Sequence, residues 1–300
     1  MRSSNRTGDL LVLAAAVLWG TMGIAVRRAD EAGVGVFEAS TWRAGIAFLG
    51  MLGGTLLTGP RRLRVRGQDL GLFAAYGFVS IALFFLAYFT AIRLSSVATA
   101  AILLYTAPAW VVLIARLVLG ERLTARKGIA LLLALCGCFL VVRAYDPAAL
   151  RLTLPGVLAG LAAGLTYGLY SIFGKLSLRR YDPPVVLTYA LGFGAAFLVL
   201  LGVAAGIPLE RFSPHHVRRA AGPVLYLGVV ITLLPQWLYI TALRHVSASR
   251  ASLVATVEPV VAAVSGYAVL GEGLDLPQIL GGALVLAAVL LVQAEQTSGA

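Results

Sequence analysis

Residues 239–274 read YITALRHVSASRASLVATVEPVVAAVSGYAVLGEGL, and residues 88–123 read YFTAIRLSSVATAAILLYTAPAWVVLIARLVLGERL. At an offset of 151 the two align without a gap and share twelve of 36 positions, including Tyr88/Tyr239, Thr90/Thr241, Arg93/Arg244, Pro108/Pro259, Gly120/Gly271 and Glu121/Glu272. Each copy carries a charge-poor apolar run with a proline near its middle. A bilayer-spanning helix needs about 20 such residues, so the duplicated unit contains a membrane span.

The rest of the chain agrees. Its 300 residues are 60% hydrophobic and only 12% charged, with a mean hydropathy of +0.91. A soluble domain carries about twice that charge. Ten apolar runs are expected to span: Leu10–Val26, Val36–Thr58, Leu70–Ile92, Val97–Leu119, Gly128–Val142, Leu154–Gly174, Val185–Gly206, Gly222–Leu243, Ala251–Leu270 and Leu276–Gln293. They are too long for barrel strands and do not alternate. Arg2 and Arg6 before the first run mimic a secretion signal. The run continues to Val26 without a small-residue cleavage site, so it is expected to remain as a span. The longest connection, about residues 206–221, is too short to fold as a catalytic domain.

The net charge of +11 comes from residues at span ends, where cations anchor to headgroups. It points to a bilayer, not to nucleic acid. With the N-terminus inside, inner segments carry fourteen Lys and Arg and outer segments eight. That bias predicts cytoplasmic N- and C-termini. Trp19-Gly20 also pairs with Tyr167-Gly168 at an offset of 148. The repeat is therefore expected to hold five spans, residues 1–146 and 152–300, and an odd number inverts one copy relative to the other. The predicted fold is an all-α integral membrane protein of ten transmembrane helices in two inverted five-helix repeats.

Four motifs carry a family resemblance: LWGTMGIAVR with Trp19 and Gly20, STWRAGIAFL with Arg43, APAWVVLIARLVLGE with Pro108 and Glu121, and VEPVVAAVSGYAVLGE with Glu258, Pro259 and Glu272. In order, spacing and duplication they resemble the drug/metabolite transporter superfamily, in particular proteins with two EamA-type repeats. One departure is that Ala107 stands where the second copy has Glu258. The resemblance implies a bacterial inner-membrane exporter, in a branch that often moves amino acids, aromatic ones among them.

Several residues are candidates for the transport path. Pro108 and Pro259 leave the carbonyls of Leu104 and Ala255 without their helical donors. They are either gating breaks or simple kinks. Ser249, Ser252, Thr256 and Pro259 share one helical face, matched by Ala98, Ala101, Tyr105 and Pro108. Such a face suits a cavity wall or small-residue packing. Glu258 is an acid deep in a span, a functional candidate by default. It is expected to lie off that wall, either paired with Arg43 or carrying a coupling proton. Trp19, Phe84, Tyr105, Trp110, Tyr167, Tyr170 and Trp237 lie near span centres, away from the interfacial belt. They read as core packing or, with Gln236, as an aromatic cavity.

No nucleotide loop, zinc motif or hydrolase elbow is present. Cys136 and Cys138 are two apart on a helix and read as packing residues. The expectation is an exporter and not an enzyme, working without cofactor or metal as a monomer. Its partners would be the bilayer, a neutral or zwitterionic small molecule of the amino-acid class and, if Glu258 titrates, a proton. Carriers of another substrate class, a lipid-modifying enzyme and a channel are the rivals.

Overall fold

The computed structural model describes residues 2–148 and 150–294. The tail 295–300, assigned above to the second repeat, lies outside the described residues, as do Met1 and Ala149. The described regular structure is helical. The helices are α1 (Arg2–Gly20, resuming after Thr21 as Met22–Glu31), α2 (Val36–Thr58) and α3 (Leu70–Gly77 and Phe84–Leu94, joined by a π turn over Phe78–Leu83). Next come α4 (Val97–Leu104 and Ala107–Ile114, ending in a π turn over Ala115–Leu119), α5 (Ala125–Val141) and α6 (Leu154–Ser177). α7 (Pro183–Ala204), α8 (Ala221–Gly228 and Leu234–Ala242 around a π turn over Val229–Leu233), α9 (Ala248–Ala255, Val257–Ser265 and a π turn over Gly266–Leu270) and α10 (Leu276–Ala294) complete it.

Eight of these, all but α2 and the 17-residue α5, are long and apolar enough to cross a membrane. The bundle's surface supports that reading. Leu57, Leu117 and Leu154 are at least 70% exposed, and apolar exposure on this scale suits lipid tails, not water. Inside, small residues such as Ala15, Ala16, Ala47 and Ala190 let helix backbones approach, while Phe73, Tyr76, Leu187 and Ile240 fill the centre.

The prolines act as breaks. The first pieces of α4 and α9 end at Leu104 and Ala255, the residues whose carbonyls Pro108 and Pro259 strand. Irregularities also recur at the offset of 151. The π turns at 78–83 and 115–119 have counterparts at 229–233 and 266–270. Gly120 and Gly271 cap α4 and α9 at φ 71° and 69°, a left-handed region open to glycine at little cost. Packing recurs as well. α3 and α4 lie on α6 as α8 and α9 lie on α1, and α5 pairs with α10.

Two prolonged contacts show why Trp19-Gly20 resembles Tyr167-Gly168. Gly20 packs on α9 just past its break, where an added Cβ would lie 3.0 Å from the Glu258 carbonyl. Gly168 packs on α4 just past its break, where a Cβ would lie 3.1 Å from the Ala107 carbonyl. Ala107 and Glu258 are equivalent at the offset of 151.

Candidate functional site

A cavity of about 820 Å³ lies among α1, α2, α3, α4, α6, α8 and α9. Its walls run from Trp19, Tyr170, Tyr239 and Thr256 in the middle of the bundle to Val26, Phe37, Arg93, Val97, Ala205 and Ile207. The latter residues sit at the end opposite the chain's N-terminus. No residue of the loops at the N-terminal end lines it.

Aromatic side chains form much of the wall. Trp19 meets Tyr239 at 5.4 Å, and Tyr239 continues to Tyr170 at 6.1 Å. The hydroxyls of Tyr239 and Ser171 share a 2.7 Å hydrogen bond. Phe84 packs on Tyr167 at 5.4 Å and stacks on Tyr88 at 6.0 Å. Tyr167 donates its hydroxyl to Glu258 at 3.1 Å. Arg43 donates from Nε to Thr232 Oγ1 at 2.9 Å and from Nη1 to Met22 Sδ at 3.1 Å, and its guanidinium lies 5.0 Å over the Phe85 ring.

Of the sequence candidates, Trp19, Phe84, Tyr105, Tyr167, Tyr170, Gln236, Ser252, Thr256, Pro108, Glu258 and Arg43 line the cavity. Three do not. Trp237 is 44% exposed on the outer surface. The π turn at 229–233 inserts a residue ahead of it and rotates the downstream face, so Gln236 points in and Trp237 out. Trp110 packs against Gly168, in the place that Val261 holds against Gly20. Pro259 is buried beneath the wall behind the break.

The structure corrects the placement of Glu258. Counting about 100° per residue puts it off the wall, but α9 breaks at Thr256 and the count restarts at Val257. Of the two readings of Glu258, a direct ion pair with Arg43 is not what the geometry shows. Among the described residues, no carboxylate lies within 4.0 Å of Arg43, and the partners of Arg43 and Glu258 are uncharged. Ser249, assigned to the wall, bonds Glu121 instead. Further charges are buried as well: Asp9, Glu38, Asp69 and Arg250.

Three of these, Asp9, Asp69 and Arg250, hold the N-terminal end together, while Glu38 pairs with Arg211 at 3.1 Å at the opposite end. Arg250 grips Asp9 with Nε at 2.7 Å and Nη2 at 2.5 Å, and donates to the Val292 carbonyl at 2.6 Å, joining α9, α1 and α10. Asp69 accepts from Arg180 at 2.8 Å and Tyr181 at 2.6 Å. Tyr189 donates to the Leu63 carbonyl at 2.7 Å. Arg244 pairs with Asp182. Glu121 reaches from α4 to the first turn of α9. Among the described residues, Glu272 makes no corresponding contact with the start of α4. Glu272 is exposed, and α4 begins with its own cap, Ser96 Oγ accepting from Thr99 N at 3.1 Å.

Sequence reasoning missed Phe85, Tyr88, Ser80, Thr232 and Tyr239. The Tyr88/Tyr239 identity across the repeat was the available signal. Phe85 and Thr232 are ordinary apolar and hydroxyl residues in their spans and carried none.

A helical bundle with lipid-suited flanks and a central cavity reaching one end defines a multi-pass membrane transporter. The chain belongs to the EamA-like transporter family, which matches it twice, over residues 6–143 and 154–294. An "uncharacterized transporter" of Archaeoglobus fulgidus is 33% identical over 97% of both chains. The inner membrane transporter YicL of Salmonella typhimurium is 27% identical over 96% of both. A probable terminal-alkyne amino-acid exporter of Streptantibioticus cattleyicolor is 30% identical over 92% of this chain and 90% of its own. A solved crystal structure shares the fold, with a TM-score of 0.81 and 19% identity over 98% of this chain and 99% of that one. The three sequence relatives are named transporters, not enzymes.

Proposed function

We propose that the protein exports neutral and aromatic amino acids across a bacterial inner membrane by alternating access. In this reading α2 and α5 also span, giving ten membrane helices. Residues 1–146 and 152–300 are two inverted repeats, both termini face the cytoplasm, and the monomer is the working unit. The two separate family matches and the π turns and glycine caps recurring at 151 support the repeat. The excess of Lys and Arg on N-terminal-side loops supports the orientation.

One observation carries the mechanism. The cavity extends from mid-bundle to the end opposite the N-terminus, while at the N-terminal end bonds from Asp9 and Glu121 draw α1, α4 and α9 together. With the N-terminus inside, this is an outward-open carrier sealed toward the cytoplasm, one of the two states alternating access requires. Aromatic walls with isolated polar groups suit small amphipathic cargo. The Streptantibioticus relative's name, an amino-acid exporter, points the same way.

The test is counterflow in proteoliposomes with a panel of radiolabelled amino acids. Saturable uptake stimulated by the same amino acid inside supports the proposal. Saturable counterflow of other metabolites only replaces the substrate class, and flux without counterflow indicates a channel. Proton coupling is read by imposing a pH gradient and repeating with Glu258→Gln. A gradient dependence that the variant leaves unchanged removes Glu258 as the proton carrier.

A further inference from the structure

We propose that the cavity is a two-pole site for a zwitterion, in which Arg43 receives the carboxylate and Glu258 the ammonium of one cargo molecule. This rests on the amino-acid reading above and adds which residues select the cargo.

Opposite charges buried in one protein cavity normally neutralise each other directly. Here both line the same cavity, close enough to feel each other's charge, yet among the described residues they make no direct contact within 4.0 Å. The guanidinium is held by a hydroxyl, a thioether and an aromatic face, through Thr232, Met22 and Phe85. A thioether is a weak acceptor, and a guanidinium has five N–H donors, so capacity remains for a bidentate carboxylate. Glu258 accepts from the neutral Tyr167 hydroxyl.

Both groups meet α1 at its break. Gly20, before Thr21, packs on the backbone of Glu258, and Met22, after it, touches Arg43. The cavity thus presents a cation and an anion on residues that both pack against one helix break.

Each pole has the surroundings its ligand group needs. Beside Glu258 lie the Tyr167 ring, Phe84 packed on it, and Tyr88 stacked on Phe84. Aromatic faces attract ammonium groups. Near Arg43, Ser80 Oγ and Gln236 Oε1 are buried without a hydrogen-bond partner. Both residues line the cavity. Ser80 stands five residues before Phe85 in the π-turn region, and Gln236 four after Thr232, so each is about one turn from a residue that holds the guanidinium. Buried polar atoms without partners are costly; a carboxylate at Arg43 would accept from the Ser80 hydroxyl, whereas the Gln236 oxygen only accepts and would need an N–H of the cargo.

The same arrangement rejects other cargo. A simple amine would leave Arg43 unanswered, and a simple carboxylate would leave Glu258 so. Leaving a buried charge unpaired is how a site discriminates against a close analogue.

The experiment uses the full chain in lipid nanodiscs and measures competition against radiolabelled L-phenylalanine and L-leucine. Competitors are the unlabelled amino acid, its amine (2-phenylethylamine or 3-methylbutylamine) and its acid (3-phenylpropionate or 4-methylpentanoate). In the native protein each amino acid is expected to bind about 10- to 100-fold more tightly than its amine or acid. Arg43→Gln should erase the advantage over the amine and keep that over the acid. Glu258→Gln should do the reverse. Arg43→Lys and Glu258→Asp, which keep the charges, should restore most of the lost preference and guard against a folding defect. Equal competition by all three molecules, or either neutralised variant weakening all three alike, overturns the two poles. Failure of every amino acid to bind overturns the substrate reading beneath them.

Discussion

The carboxylate of Glu121, just past the end of α4, accepts the backbone N–H groups of Ala248 and Ser249 at 2.6 and 3.2 Å, in the first turn of α9. Those donors have no partner within the helix, and the positive end of the helix dipole favours an anion there. Glu121 therefore joins the two proline-broken helices at the N-terminal end, with Lys127 3.9 Å away. Glu272, its equivalent at the offset of 151, is exposed.

Alternating access predicts that these two acids act in opposite states. Glu121→Gln weakens charge-assisted bonds by about 1.5–3 kcal/mol and should favour opening toward the N-terminal side. Glu272→Gln should leave the present state intact and disfavour the other. The measurement is thiol labelling of Ser252→Cys, with Cys136 and Cys138 replaced, by an impermeant reagent added to either side of oriented vesicles. Glu121→Gln should raise labelling from the cytoplasmic side and Glu272→Gln should lower it. Equal labelling in both variants and the parent would separate Glu121 from gating.

Asp9 and Arg250 are each 7% exposed in their side chains and directly bonded. Breaking a buried pair from one side leaves an uncompensated charge, at a cost of about 3–5 kcal/mol. Arg250→Met should lower thermal stability in detergent steeply. Asp9→Asn combined with Arg250→Met should recover part of the loss, since no lone charge then remains. A double variant no more stable than Arg250→Met alone would show that the pair does not couple.

That the chain is an all-helical bundle built on membrane-length apolar helices was legible, because apolar runs of about 20 residues have few other uses. The proline breaks were legible too, since ring and carbonyl chemistry set where Leu104 and Ala255 must end their helices. The face that a residue presents was not. The breaks at Thr21 and Thr256 and the π turns at 78–83 and 229–233 reset the angular count, which put Glu258 on the cavity wall and turned Trp237 away. Asp9 with Arg250 was hidden for another reason. The partners are 241 positions apart, each sits near a span end, and a residue there can equally point to water.

Gly20 predicts a local stability effect. A methyl added there would meet Val261 Cβ at 2.6 Å and the Glu258 carbonyl at 3.0 Å. The carbonyl cannot move without shifting the α9 break, so Gly20→Ala should cost about 1–3 kcal/mol and reduce cargo affinity with it. Gly168→Ala meets nothing closer than 3.1 Å and should be milder. Melting temperatures of the two proteins, with and without cargo, check the ranking; a milder Gly20→Ala would contradict this packing.

At the opposite end, Asp275 accepts from Tyr145 at 2.5 Å and pairs with Arg143 at 3.0 Å. It also caps α10 through Gln278 N at 3.1 Å. Arg143 adopts φ 58°, where a side chain is uncommon, so the cluster fixes a strained link between α5 and α10. The Tyr145 hydroxyl, the Gln278 amide and the Arg143 guanidinium hold the Asp275 carboxyl below its ordinary value of 3.8. A lowered carboxyl stabilises the fold fully above the unfolded value, and the contribution fades as pH falls through the folded one. The link should stay protected from amide exchange at neutral pH and begin to open only below about pH 4. Asp275→Asn removes the titrating group and should flatten that dependence. Hydrogen exchange of the Tyr145 and Gln278 amides between pH 6 and 3 makes the comparison, and an unchanged acid profile in the variant would assign the opening to another group.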